Sequence, residues 1–371
     1  MKAIWIYIIF VLSALSAAAQ KKSLPISATE MQKIYEEVKT PYKYGLVQVP
    51  EDKEHKMDCP TIFKKGKDWY MTYLIFSGRG YETWLSKSED LLHWENVGKM
   101  MSFSNAGKWD DNQKAGYNAL LNMKWGGNYK VKPFNGKYWM SYFGGKEKGY
   151  EVEPLSIGMA YTTKHPSVVQ EWSRLDQPVL SSLDADVRWW ENRNKLFKST
   201  VIEDKKRLTG HRFVMYYNAV GDSLANNKKT RWYERIGMAV SDDMIHWKRF
   251  QKDPVVHHPV GITGDAVIQQ IGNNYVMFYF GAFWLDRKGS FNRFAVSKDL
   301  INWTDWTGEN LIESSEKYDE LYAHKSFVLQ HKGIVYHFYC AVNKQDQRGI
   351  AVATSKDLGK SKVNFVSETK N

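Results

Sequence analysis

The chain has 371 residues, 43% of them hydrophobic and 15% aromatic, with 15 tryptophans and two cysteines. That composition excludes a disordered or low-complexity chain and supplies enough apolar residues for a sizeable core. The formal net charge of +11 raises nucleic acid as a partner, but the lysines are scattered through hairpin tips such as Lys64, Lys65 and Lys67 and form no stripe, so none is expected. A basic balance stays compatible with an acidic ligand.

In chain order, the first element is an export signal. Lys2 supplies a positive start, Ile4 to Leu15 is a nearly unbroken apolar run, and Ala17-Ala18-Ala19 before Gln20 is a small-residue cleavage site. Residues 1–19 are therefore expected to be removed and the protein to be periplasmic or extracellular. No cysteine near the cleavage point offers a lipid anchor, and no later apolar run approaches the ~18 residues a spanning helix needs, so no membrane association is expected afterwards.

Tyr42 to Val49 alternates like a strand but belongs to no repeat. Beyond it, one pattern recurs five times: an aromatic or aliphatic residue, usually a Met two places on, and a Tyr. The copies are Trp69 to Tyr73, Tyr138 to Tyr142, Phe213 to Tyr217, Tyr275 to Tyr279 and Val335 to Tyr339, with closing tyrosines 69, 75, 62 and 60 residues apart. Such a period is too long for a helical solenoid and suits a four-stranded sheet with its loops. A second motif follows in three copies, Ser88-x-Asp90-x-x-x-Trp94, Ser241-x-Asp243-x-x-x-Trp247 and Ser297-x-Asp299-x-x-x-Trp303. Its Asp is expected to accept local backbone N–H groups.

These features predict an all-β fold, a five-bladed β-propeller with four-stranded antiparallel blades around a central channel. The blades fall roughly at 57–101, 116–182, 187–256, 262–312 and 316–360, in one domain over residues 20–371. The strand near 42–49 is expected to complete the last blade and hide free sheet edges. Cys59 and Cys340 then lie in blades that meet. A disulfide is open to them, and burial as two small apolar side chains is the preferred reading.

A residue repeated in every blade serves the blade, so function is sought where the repeats disagree. Counting back 15 residues from each closing Tyr, with allowance for hairpin length, reaches the start of the innermost strand. Asp58, Asp265 and His324 stand there in repeats one, four and five. Gly127 or Asn128 stands there in repeat two, and Phe197 or Lys198 in repeat three, with Glu191 upstream. Acidic groups on opposite sides of a glycosidic bond are what hydrolysis of an acetal needs. Further acids precede third strands (Glu82, Glu151, Glu234) or lie on loops entering inner strands (Glu191, Glu320). Lys198, Lys325 and Arg188 are candidate contacts for substrate.

The blade turn and this register resemble the five-bladed propeller glycosidases of glycoside hydrolase families 43, 117 and 130. The family 43 pattern implies an Asp base on the first inner strand, which Asp58 matches, and a Glu acid on the third, near which only Glu191 lies. The two Asp and one His of family 117 suit Asp58, Asp265 and His324. Family 130 implies hydrolysis or phosphorolysis of mannosides, with Lys198 and Lys325 as a phosphate site. The resemblance as a whole implies an exo-acting, inverting glycosidase. Asp58 is then the general base, Asp265 the pKa modulator and substrate anchor, and His324 the general acid, with Glu191 or Glu320 in its place as alternatives. Glu82, Glu151, Glu234, Lys198, Lys325 and Arg188 are expected to contact a carbohydrate, uronate-containing or sulfated glycans included. No redox cofactor is implied; related folds carry a structural cation in the channel, and no ligand set in the sequence announces one. A glycoside phosphorylase and a non-catalytic glycan-binding propeller are the alternatives.

Overall fold

The computed structural model describes residues 25–222, 233–287 and 289–366. The export signal expected over residues 1–19 lies outside the described residues. The chain opens with a helix that the repeat pattern did not announce, α1 (Ala28–Val38), whose Ser27 Oγ caps the Glu30 amide. Met31, Ile34 and Val38, at helical spacing, bury one face in a cluster with Val276, Phe294, Trp306, Val328 and Val335. Among the described residues no helix is long and apolar enough to cross a membrane.

Strand β1 (Tyr42–Gln48) follows, and then an antiparallel sheet of β2 (Lys56–Lys65), β3 (Asp68–Phe76), β4 (Tyr81–Ser88) and β5 (Glu95–Met101). The next comprises β6 (Gln113–Asn118), β7 (Tyr138–Gly145), β8 (Leu155–Thr162) and β9 (Ser173–Arg174). Gly127 and Asn128 therefore fall in the β6–β7 connection and not on an inner strand. A third group is β10 (Leu196–Glu203), β11 (Phe213–Val220), β12 (Tyr233–Ser241) and β13 (Lys248–Arg249). A fourth is β14 (Gly261–Ile271), β15 (Asn274–Ala282), β16 (Ser290–Ser297), β17 (Thr304–Asp305) and β18 (Ile312–Glu313). The third and fourth groups are not separate sheets. Tyr233 and Glu234 pair in parallel with Gly261 and Ile262, and this short seam fuses them into one nine-stranded sheet. The last sheet holds β19 (Tyr322–His331), β20 (Ile334–Val342) and β21 (Arg348–Thr354), and β1 pairs antiparallel with β21 as its outer strand.

Apolar residues of each group pack on the next. Phe63 and Leu85 meet Met140 and Ala160, Trp139 and Ile157 meet Val201 and Phe213, Val214 and Met238 meet Ile268 and Met277, and Phe278 and Phe294 meet Val328 and Val335. The last sheet returns to the first, where Phe338 and Val352 pack with Ile62 and Met71. Central strands such as β3 are buried on both faces, which is why they read as continuous apolar runs.

The Ser-x-Asp turn is local chemistry. Asp90 Oδ1 accepts the amides of Leu92 and His93 at 2.9 Å each, Ser88 Oγ accepts that of Leu91, and Trp94 Nε1 donates to the Leu91 carbonyl. Asp243, Ser241 and Trp247 repeat the arrangement in full, and Asp299 and Ser297 repeat its carboxylate and hydroxyl bonds. The closing tyrosines are scaffold too. Tyr142 donates to Asp110 at 2.9 Å, Tyr217 to Glu191 at 2.5 Å, Tyr339 to Asp319 at 2.8 Å, and Tyr279 to Asp305. Three of these carboxylates are paired with a cation: Asp110 with Arg174, Glu191 with Arg249 and Asp319 with Lys43.

Candidate active site

Three inner strands carry the same irregularity. In β2, β14 and β19 one extra residue is inserted opposite the closing tyrosine, between Asp58 and Thr61, Gly264 and Val267, and His324 and Phe327. The first bulged residue is left-handed in each, with φ of 49° at Cys59, 61° at Asp265 and 54° at Lys325. A bulge re-aims a side chain, and left-handed backbone on non-glycine residues costs roughly 1–3 kcal/mol each, which is tolerated where surrounding structure imposes it. All three side chains line one cavity of about 330 Å³. Asp265 is thus equivalent to Cys59 and Lys325, and not to Asp58 and His324 as the allowance for a shorter hairpin suggested; the three hairpins are equal in length, and Gly264 holds the place of Asp58 and His324. In β10 the extra residue falls one place along, opposite Asn218, and brings Phe197 and Lys198 to the same cavity.

The third strands contribute by a second register. Tyr81, Glu234, Ser290 and Arg348 each pair with the residue three beyond their closing tyrosine, and each lines the cavity. In the second sheet this place belongs to Leu155, and its acid comes from the preceding loop: Glu151, at φ 49°, with Tyr150 beside it. Phe143, Phe280 and Phe283 supply apolar wall. Lys195, Asn218, Tyr150, Tyr117, Tyr322 and Arg348 were not singled out from sequence. Counting from the third strand as well as from the inner one finds Arg348.

The electrostatics separate the acids. Asp58 is fully buried beneath the cavity, where Lys325 Nζ (2.7 Å), Tyr81 Oη (3.0 Å) and Arg348 Nη1 (3.5 Å) approach one oxygen. Burial opposes its ionisation, but Lys325 and Arg348 outweigh this and hold the carboxyl below the usual range. Burial pushes the Glu234 carboxyl up to about 8, and the charges of Glu151 and Asp265 add to the effect. Burial also raises Glu151, against the pull of Lys325 and Arg348. His324 Nδ1 lies 3.2 Å from the Cys340 carbonyl, so Nδ1 donates and Nε2 is left as an acceptor. Burial and then Lys325 depress this imidazole to about 3. Asp58, His324 and Cys340 present ligand atoms within 4.8 Å of one another, but the Lys325 ammonium already occupies the carboxylate among them. Both cysteines are free and buried.

No family model matches the chain. A solved structure named as a complex of BT0996 with RGII is similar at 50% identity over 92% of this chain and 99% of its own, with a TM-score of 0.88. Another, named Glycoside hydrolase, is similar at 49% identity over 92% of this chain and 99% of its own, with a TM-score of 0.87. The chain belongs to the glycoside hydrolases. A thermostable family-43 glycoside hydrolase (16% identity, 84% of this chain, 94% of its own, TM-score 0.56) shares the fold with this glycoside hydrolase. So does a family 117 enzyme from the marine bacterium Zobellia galactanivorans (14%, 86%, 91% and 0.60 in the same order). Beta-1,2-mannobiose phosphorylase of Thermoanaerobacter sp. (strain X514) is 31% identical over 139 residues, 34% of this chain; the chain spans 42% of the length of that curated relative. The propeller fold is the one shared with the family 43 and family 117 enzymes, and a carbohydrate substrate follows from membership of the glycoside hydrolases.

Within this glycoside hydrolase several expected site residues stand elsewhere. Asp58 has no access to the cavity, so it cannot take a proton from an attacking water; its place is to hold Lys325 and Arg348. His324 lines the cavity as a neutral imidazole, which has no acidic proton to give a leaving group. Glu191 is fully buried between Tyr217 and Arg249 (2.6 Å), one of the repeated tyrosine–carboxylate pairs. Arg188 is spent on the carbonyls of Gln251, Asp186 and Arg249 beside it. Glu320 is at the surface, paired with Lys344 at 2.8 Å. Glu82 pairs with Lys99 at 2.8 Å and with Ser102, on the strand face opposite to Tyr81. The cavity brings together Asp265, Glu151, Glu234, His324, Lys198 and Lys325.

Proposed function

We propose that this glycoside hydrolase is an exported, five-bladed propeller that removes one terminal sugar at a time, with Glu234 as general acid and Glu151 as general base. The observation that carries the reading is the pair of carboxyls on one cavity, of which Glu234 is pushed up to about 8 and Glu151 lies among Lys325, Arg348 and Lys195. Two acids with unlike environments divide the labour. Glu234 keeps its proton at neutral pH and delivers it to the glycosidic oxygen as the bond to the anomeric carbon breaks. Glu151 takes a proton from the water whose oxygen forms the new bond. Solvent exchange restores both groups.

Exo-action is supported by a cavity of about 330 Å³, at the small end of the roughly 300–1,000 Å³ range of ligand sites and suited to one sugar ring. Inversion is carried by the resemblance to families 43, 117 and 130, the blade count by five closing tyrosines, and export by Lys2, the Ile4–Leu15 run and Ala17-Ala18-Ala19. The 50% identical relative, named as an RGII complex, points to RGII as the glycan. Incubation with RGII, followed by proton NMR of the first sugar released, tests these points together. A single terminal sugar of inverted anomeric configuration is expected; internal cleavage or a retained anomer removes the corresponding part. Export is checked by cell fractionation and the mass of the recovered protein, expected to begin at Gln20.

A second reading is phosphorolysis, favoured by the mannobiose phosphorylase relative and by Lys195, Lys198 and Lys325 on the cavity. A strict requirement for inorganic phosphate, with a sugar phosphate as product, would replace water by phosphate in the scheme.

A further inference from the structure

We propose that Lys198, Asp265 and Asn218 form a specificity-determining floor that reads two neighbouring hydroxyls of an uncharged sugar; this rests on the cavity being the sugar site of the proposed hydrolase. Lys198 Nζ lines the cavity with its side chain only 3% exposed, yet it has no hydrogen-bond partner among the described residues. Its nearest anion, Asp265 Oδ2, is 3.7 Å away, beyond hydrogen-bond reach, and the Tyr117 ring lies 5.5 Å off. An ammonium carries three donors, and leaving them unmade in a buried place is costly unless a ligand takes them. Asp265 is held for the complementary role. Its Oδ1 accepts from Asn218 Nδ2 at 2.7 Å, and its own amide donates to Asn218 Oδ1 at 2.9 Å. This reciprocal clasp fixes the carboxylate on its left-handed bulge and leaves Oδ2 with only the Cys59 thiol at 3.5 Å. A free donor beside a free acceptor matches adjacent hydroxyls, each of which donates and accepts.

Charge argues that the sugar is neutral, against what the net charge of +11 alone suggests. Three of the cations lining the cavity already face a carboxylate: Lys195 faces Glu153 at 3.1 Å, Lys325 faces Asp58 at 2.7 Å, and Arg348 faces Asp58 at 3.5 Å and Asp346 at 3.4 Å. A uronate would have to displace one of these partners or, at Lys198, lie against the Asp265 carboxylate, while approaching Glu151 and Glu234. Neutral hydroxyls need no such exchange.

The test is calorimetric titration of the full chain carrying Glu234→Gln, which prevents turnover, with xylose, arabinose, glucose and galactose, with glucuronate and galacturonate, and with inorganic phosphate. At least one neutral sugar is expected to bind, with the uronates and phosphate at least tenfold weaker, and Lys198→Met is expected to weaken the neutral sugar at least tenfold. Asn218→Ala, which releases the clasp without touching Lys198, is expected to weaken it as well and guards against a Lys198 variant that fails to fold. Tighter binding of a uronate or of phosphate overturns the proposal, as does a neutral sugar indifferent to both substitutions or binding by no neutral sugar. In the wild-type background Lys198→Met should raise KM more than it lowers kcat. If hydrolysis never appears while sugar binding follows this pattern, the proposed function fails and the floor stands; hydrolysis with KM unmoved by Lys198→Met gives the reverse.

Discussion

Tyr81 and Glu234 occupy the same place in their sheets: each stands on its third strand opposite the residue three beyond the closing tyrosine, Phe76 and Val220, and each lines the cavity. Glu82 follows Tyr81 and so takes the other face of the strand, although the Tyr-Glu pair reads alike in both repeats. Replacing Glu234 by Gln should lower kcat/KM by about 10²–10⁴-fold, the usual reach of general acid catalysis. Glu82→Gln should leave kcat/KM unchanged, and steady-state kinetics of the two variants side by side decide whether the register assigns the roles.

The same carboxyl sets a pH dependence. Glu234 must be protonated to act, and with its pKa up to about 8 activity should hold across neutral pH and fall about tenfold per unit above 8. For stability, the folded chain keeps a proton between pH 4.5 and 8 that the unfolded chain, at the ordinary value of 4.5, has released. Stability contributed by this group is therefore full below 4.5 and is lost as pH rises through 8. Glu234→Gln should flatten that part of a Tm-versus-pH curve; an unchanged slope would assign it to other groups.

Acid should destabilise the protein through His337. This imidazole is fully buried with neither ring nitrogen hydrogen-bonded among the described residues, and burial depresses it to about 3. Below the ordinary value of 6.5 the unfolded chain takes up a proton that the folded chain refuses until about pH 3, so stability falls as pH drops through this window. His337→Phe should lessen the loss of Tm between pH 6.5 and 4, and equal losses in parent and variant would count against it.

Glu191 should matter for stability and not for chemistry. Glu191→Gln removes the closest of three carboxylates from the buried Arg249 guanidinium and leaves Asp186 at 2.7 Å and Asp184 at 2.9 Å, so the loss should fall below the roughly 3–5 kcal/mol of a buried pair broken with no other counter-charge. Urea unfolding should show that loss, while kcat/KM measured well below the melting temperature should match the parent.

The turns were legible because their chemistry is local: Ser88, Asp90 and Trp94 bond within seven residues, and the spacing survives in sequence. The cavity was legible only in part, because the allowance for a shorter hairpin in the fourth repeat was misplaced: the hairpins close alike at Lys65–Asp68, Ile271–Asn274 and His331–Ile334, and the bulges match as well. The plain count reaches Gly264, the equivalent of Asp58 and His324, and Asp265 falls into line with Cys59 and Lys325 on the cavity while Asp58 stays behind the wall. Glu191 misled for another reason. The carboxylates that receive the closing tyrosines come from unlike places, Asp110 in the loop before β6 and Asp305 on β17, so their equivalence exists in space and not in sequence. Glu151 and Glu234 were among the candidates, but what distinguishes them from Glu82 is strand parity.

The pairing of β1 with β21 sets Tyr42 opposite Thr354, across 312 positions of chain. Loop closure over such a span is entropically late. A nascent chain therefore holds β1 idle until β21 has been made, and their pairing completes the last sheet. Trimming residues 348–366 would strip the partner from β1, so the first and last strands stand or fall as one unit.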